Sequence, residues 1–328
     1  MYTEFYGFRE KPFEITPDPG FLYLSENHRE ALAHLTYAVK EKKGFTVVTG
    51  EVGTGKTLLI QTLLESLSQE NGRTRTAYLF NPKLDINDFL QYICEDFGLK
   101  GEKRSKGQYL TQLHHFLMDC YCKNENVVLI IDEAQNLNPK LLEEIRLLTN
   151  LETIKSKLLQ VILIGQPELD EVLNRPQFRQ LKQRVSLRYH IQPLRKEETK
   201  KYILSRLKRA GAMNPYCFSP KAMDRICTYS KGIPRVINII CDNALLIGYA
   251  NDQKVIGESV IREVMRDLEG MSQPRKRKFL FPLTVALFIS VCLGVLFLWW
   301  GNEIIKDYKY FFDGLFRDLF EKFLNKIL

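Results

Sequence analysis

The sequence is short of residues that staple a chain or hold a metal. Its seven cysteines, at 94, 120, 122, 217, 227, 241 and 292 of 328 residues, are odd in number, and none form a C-x-x-C pair. A zinc ribbon or a dithiol redox motif is therefore not expected, and Cys120-x-Cys122 has no second pair to complete a tetrahedral site. Most of these thiols read as buried side chains in a reducing compartment. The amino terminus has no basic stretch followed by an apolar core, so no cleaved signal is expected. A strong charge imbalance is missing too. The formal net charge is +8, and Arg275, Lys276, Arg277 and Lys278 supply half of it. What remains argues only weakly for nucleic acid. The length permits about two domains.

What the chain does have is Val47-Val48-Thr49-Gly50-Glu51-Val52-Gly53-Thr54-Gly55-Lys56-Thr57, a G-x-x-x-x-G-K-T phosphate loop of the Walker A kind. An apolar run, Phe45 to Val48, leads in as a buried strand would, and a helix-forming run, Thr57 to Leu67, leads out. The glycines let the backbone turn tightly, and the loop amides with the positive end of the helix make an anion site spanning Gly50, Glu51, Val52, Gly53, Thr54, Gly55, Lys56 and Thr57. Lys56 is expected on the β- and γ-phosphates of ATP and the Thr57 hydroxyl on Mg²⁺. The second half is Asn126-Val127-Val128-Leu129-Ile130-Ile131-Asp132-Glu133. Five consecutive apolar residues, four of them β-branched, suit a strand buried on both faces. It ends in two carboxylates, where parallel sheets place ligands. Asp132 is expected to hold the Mg²⁺ shell, and Glu133 to orient and polarise the attacking water.

Along the chain, residues 1–25 are rich in aromatics, and Pro12, Pro17 and Pro19 forbid a long helix there. An ordered arm over the nucleotide domain is expected, where any single aromatic reads more simply as ordinary packing than as a wall for the adenine. Ser25 caps a helix to about Lys42. His28 and His34 on it read as surface or core histidines, not ligands. Strands at 75–80, 157–165 and 187–191 alternate with helices at 86–97, 108–124 and 138–150, which implies a parallel sheet flanked by helices. Asn138 and Pro139 open the last of these helices. From Arg195 helical spacing takes over, at 197–210, 219–230, 234–250 and 258–269. The division expected is an arm (1–25), an α/β nucleotide domain (26–194), a small helical lid (195–270), a basic linker (271–278), a transmembrane helix (279–300) and a tail (301–328).

With these features in hand, the chain resembles an AAA+ ATPase, and more narrowly the ExeA-type family, also called general secretion pathway protein A. The resemblance rests on Pro17-Asp18-Pro19 and Phe21-Leu22-Tyr23 in the arm, the Walker A loop, Ile131-Asp132-Glu133-Ala134-Gln135, Gly165-Gln166-Pro167-Glu168-Leu169 and Gly232-Ile233-Pro234-Arg235. It covers roughly residues 1–270. It implies a P-loop AAA+ fold and a role for ATP hydrolysis in assembling a secretion pore or a related pilus. It also implies a γ-phosphate sensor at Gln166 and an arginine finger at Arg184, acting on a neighbouring subunit of a ring. Arg179 is the rival for the finger. Arg235 would be a second sensor in the lid, touching the nucleotide. Larger members carry a peptidoglycan-binding region after their membrane span. Only 28 residues follow the span here, so direct cell-wall binding is not expected.

Phe279 to Trp300 carries no charge over 22 residues, enough helix to cross roughly 33 Å. The basic block before it and Trp299 and Trp300 at its far end predict a single pass through the inner membrane, with the ATPase cytoplasmic and the tail on the other side. In the tail, Ile304, Ile305, Tyr308, Phe311, Phe312, Leu315, Phe316, Leu319, Phe323 and Ile327 recur at helical steps, so an amphipathic helix is expected, either lying on the outer face of the membrane or, as its broad phenylalanine-rich side favours, packing on itself or a partner. The competing reading is a nucleic-acid-bound regulator like the transposition-associated ATPases, through Arg195, Lys196, Lys200, Lys201, Arg206, Lys208 and Arg209. The apolar residues interleaved at helical spacing make a solvated helix face the simpler account of that stretch.

Overall fold

The computed structural model describes residues 1–272, except 17–20, 22, 70–72, 81, 100–103, 155 and 213, and also 313, 314 and 317. Residues Met1–Asp267 form one compact unit. Five strands, β1 (Phe45–Gly50), β2 (Thr74–Leu79), β3 (Asn126–Ile131), β4 (Gln160–Gly165) and β5 (Leu187–Ile191), make one parallel sheet in the order β2-β3-β4-β1-β5. Its alternation feeds two cores. Phe45, Val47, Leu129, Ile131, Val161 and Leu163 pack on one face under α4 (Ile86–Asp96), α5 (Lys106–Cys122) and α6 (Pro139–Leu148). Val48, Val128, Ile130, Ile162 and Ile164 pack on the other, under α2 (Glu26–Lys40) and α3 (Lys56–Gln69). A strand that feeds both cores has no solvent face, which is why β3 and β4 are almost wholly apolar and β1 admits only the buried Thr46 and Thr49 between its apolar residues.

Local chemistry sets the ends. Ser25 accepts from the His28 amide to start α2, and Asn138 accepts from the Leu141 amide at 2.9 Å to start α6, with Pro139 in its first turn. Helix α5 begins two residues before its expected start, because Ser105 and Gln108 form a capping box. The fourth strand begins at Gln160, not Lys157, because Lys157 bridges back to Glu152 in a hairpin-like turn. Two short helices were not expected: α7 (Glu168–Leu173) and α8 (Arg179–Arg184). Each has six residues, too few to show a helical period.

Four helices follow: α9 (Lys196–Arg209), α10 (Pro220–Ser230), α11 (Pro234–Ala250) and α12 (Glu258–Ser272). The arm departs from expectation here. It opens with a short helix, α1 (Tyr2–Tyr6), and binds this helical part, not the sheet. Tyr2 donates to Asp242, the Arg9 amide donates to the Ala210 carbonyl at 2.7 Å, and Phe13 is wholly buried beside Phe218. The buried guanidinium of Arg206 donates to the Pro12 and Glu14 carbonyls and lies over the Phe21 ring. The α9–α11 helices leave an apolar groove that the arm's aromatics fill.

Cys94, Cys120, Cys217, Cys227 and Cys241 are buried free thiols, and Cys122 is exposed. No helix among the described residues is long and apolar enough to cross a membrane. The expected span 279–300 and the basic block before it lie outside the described residues. So does the tail, apart from Asp313, Gly314 and Arg317, which are helical and exposed.

Candidate active site

Strand order brings the site together. Strand β4 lies between β1 and β3, so Gln166, just past its end, sits between the Walker A loop and the Asp132-Glu133 pair. The loop runs from the end of β1 into α3. Lys56 is buried, and its ammonium donates to the carbonyls of Gly50 (2.7 Å) and Glu51 (3.0 Å). Burial pushes its pKa down, and Glu133 and Asp132 pull it back up. A desolvated cation held by carbonyls at a loop of amides is ready to take an anion.

Asp132 is equally dry. Its Oδ2 accepts from the Thr57 hydroxyl at 3.3 Å and from Tyr78 at 3.2 Å, and its Oδ1 from the Glu133 amide at 2.8 Å. Burial raises its pKa against those donors. Glu133 sits in the left-handed region at φ 50°, a conformation worth about 1–3 kcal/mol of strain and typical of functional positions. Its carboxylate accepts from the side-chain amides of Gln135 (2.5 Å) and Gln166 (3.3 Å). The Gln135 side-chain oxygen in turn accepts from the Gln166 backbone N–H at 3.0 Å.

The helical part closes the other side. The Arg235 amide donates to the Gly53 carbonyl at 3.3 Å, and Gly53 has φ 82° with Arg235 so close that a Cβ would lie 2.6 Å from it. The joint is Gly232, where a Cβ would meet the Leu194 carbonyl at 2.0 Å. Between the two halves opens a cleft of about 480 Å³, lined by Gly53, Lys56, Thr57 and Glu133 on one side, Tyr202, Arg206, Arg235 and Asn238 on another, and the arm's Glu14, Ile15, Thr16 and Phe21. A smaller apolar hollow beside it is lined by Phe21, Tyr23, His28, Leu58 and Pro234 among others.

Among the predicted residues, Lys56, Thr57, Asp132, Glu133, Gln166 and Arg235 converge. Arg184 does not. It donates to Thr149 at 3.2 Å and lines a separate pocket with Gly44, Phe45 and Lys157. That is the amino-terminal edge of the sheet, roughly 17 Å along β1 from the loop. Arg179 is exposed on the same stretch. Two residues make contacts at the site that the sequence did not assign to them. His28 is buried, sharing a 2.6 Å hydrogen bond between Nδ1 and Ser25 Oγ, while its Nε2 donates to the Thr54 carbonyl at 2.8 Å. Burial lowers its pKa. Gln135 holds Glu133. Nothing in their spacing announces either contact. The only signal was their position, beside the cap of α2 and two residues after the glutamate.

Residues 39–173 match the model of the AAA domain. Together with the phosphate loop, this shows that residues 39–173 carry an AAA domain, the class of fold that P-loop ATPases use. In sequence it is similar to the General secretion pathway protein A of Aeromonas hydrophila, 43% identical over 303 residues, which is 92% of this chain and 54% of that protein. The chain thus spans about half the length of the curated relative it matches. In fold it is similar to Cdc6p from Pyrobaculum aerophilum, at TM-score 0.61 and 18% identity over 77% of this chain and 71% of that one. It is also similar to the ORC2 protein of Aeropyrum pernix, at TM-score 0.58 and 17% identity over 79% and 71%. Identities that low speak for the fold alone.

Proposed function

We propose that this protein is a membrane-anchored ATPase that couples Mg·ATP hydrolysis to the assembly of a cell-envelope secretion or pilus-type complex. The observation that carries the ATPase half is the convergence of Lys56, Thr57 and Glu133 on one cleft, with Asp132 hydrogen-bonded to Thr57 and Gln166 to Glu133. Thr57 Oγ1 and Asp132 Oδ2, 3.3 Å apart, are hard oxygen donors that fit Mg²⁺, and a cation there offsets the burial of the carboxylate. The metal, when bound, neutralises charge on the phosphates. Lys56 binds the β- and γ-phosphates and Glu133 polarises the attacking water. Gln166 senses the γ-phosphate, Arg235 reads it from the helical lid, and Arg184 serves a neighbouring subunit as its finger. The distance of Arg184 from its own loop supports action between subunits.

The envelope half rests on the similarity to General secretion pathway protein A, and the anchor on the uncharged run 279–300. The test is crosslinking and purification of the full-length Glu133→Gln protein from membranes with ATP. Envelope-complex proteins should copurify, and a chain found only in the soluble fraction would contradict the anchor. The nucleic-acid reading rests on the basic stretch from Arg195 to Arg209; the likeness to Drosophila ORC bound to DNA, at TM-score 0.61 and 18% identity over 78% of this chain and 64% of that one, is one of fold. Against it, Lys196 and Lys200 of α9 both pair with Asp224 at 3.0 Å and Arg206 is buried beneath the arm. Retention of DNA that weakens steeply with salt would favour the DNA reading.

A further inference from the structure

We infer that Tyr78, which belongs to neither Walker motif, is a positioning residue for the metal-holding carboxylate of Asp132; the inference rests on the Mg·ATP reading of the cleft. Tyr78 lies on β2, the edge strand, opposite Ile130 in the register with β3. Its ring packs on the core formed with α2 and α3, and its hydroxyl crosses the end of β3 to donate to Asp132 Oδ2 at 3.2 Å. The Thr57 hydroxyl is 3.3 Å from the same oxygen. An aspartate has two side-chain torsions. The Glu133 amide fixes Oδ1, and the two hydroxyls fix the plane in which Oδ2 faces Thr57.

The tyrosine is itself held. An edge strand leaves a row of main-chain groups without a neighbouring strand. At Tyr78 both are taken by α4: the amide donates to Asp96 Oδ2 at 2.6 Å, and the carbonyl accepts from the Tyr92 hydroxyl at 3.1 Å. The phenol thus projects from a backbone fixed on both sides. Groups that orient a metal ligand are worth about ten- to a hundredfold in metal affinity when removed. A tyrosine that merely filled space would not end on the one carboxylate oxygen that also meets Thr57.

The test uses full-length protein and a fluorescent ATP analogue, titrated with Mg²⁺ and separately bound in EDTA. For Tyr78→Phe the Mg²⁺ needed for half-maximal binding should rise about tenfold, with affinity in EDTA unchanged. Asp96→Ala should shift the curve the same way by less. A wild-type Mg²⁺ curve for Tyr78→Phe overturns the inference, as does an equal loss in EDTA, which would assign the hydroxyl to the nucleotide or the fold. So does a shift with Asp96→Ala alone, which would assign the effect to the sheet edge. A wild-type protein whose binding ignores Mg²⁺ contradicts the Thr57–Asp132 reading itself, and the inference falls with it.

Discussion

At the scale of single residues, the site divides into groups whose spacing betrays them and groups that only the fold brings in. Lys56 and Thr57 are tied to the loop by the motif, and Asp132 and Glu133 by the end of an apolar strand. Those constraints are local, so they were legible. His28 reaches Thr54 across 26 positions, and nothing local requires that contact. It also makes a prediction with a definite sign. Burial holds the imidazole neutral, with its pKa below the ordinary 6.5. The unfolded chain then binds a proton that the folded chain does not, so the stabilisation is complete above about pH 6.5 and is lost as pH falls below it. Glutamine at this position keeps an N–H for the Thr54 carbonyl and does not titrate. Thermal melts between pH 7.5 and 5.5 should show a smaller acid loss in His28→Gln than in the wild type. Parallel pH profiles would remove His28 from the loop's support.

At the scale of elements, the strands of the α/β core and the four later helices lay close to their expected bounds, because buried strands and amphipathic helices carry their period in the sequence. The arm was harder. Its prolines excluded a long helix, yet its aromatics did not say which surface they cover, since burial against α9–α11 or against the sheet asks for the same side chains. The structure answers with Arg206, whose guanidinium binds arm carbonyls, and with Phe13, which has no exposed surface. Phe13→Ala should cost about 3–5 kcal/mol of stability. The same arm lines the nucleotide cleft through Glu14, Ile15 and Thr16, so ATP should raise the melting temperature of Phe13→Ala less than that of the wild type. An unchanged melting temperature without ligand would show that the arm is not part of the folded core.

At the scale of the whole molecule, the finger role proposed for Arg184 is one that a single chain cannot fulfil, since the residue lies at the opposite end of the strands from its own loop. Mixing Arg184→Ala with Glu133→Gln tests this. Each is expected to be inactive alone, yet a mixed assembly contains an interface with both groups intact and should recover part of the turnover. Confirmed mixed assemblies without recovery would move the finger to Arg179 or remove it. The central claim lies in the cleft itself: charge binds the nucleotide through Lys56, and a separate carboxylate, Glu133, drives its hydrolysis. Binding of ATP with Mg²⁺ to Lys56→Ala and Glu133→Gln, measured side by side with the wild type, tests that division directly. Lys56→Ala should lose about ten- to a hundredfold in affinity or more, as the phosphates lose a charge-assisted partner, while Glu133→Gln keeps ATP bound and unhydrolysed. Equal loss of binding in the two variants would contradict it.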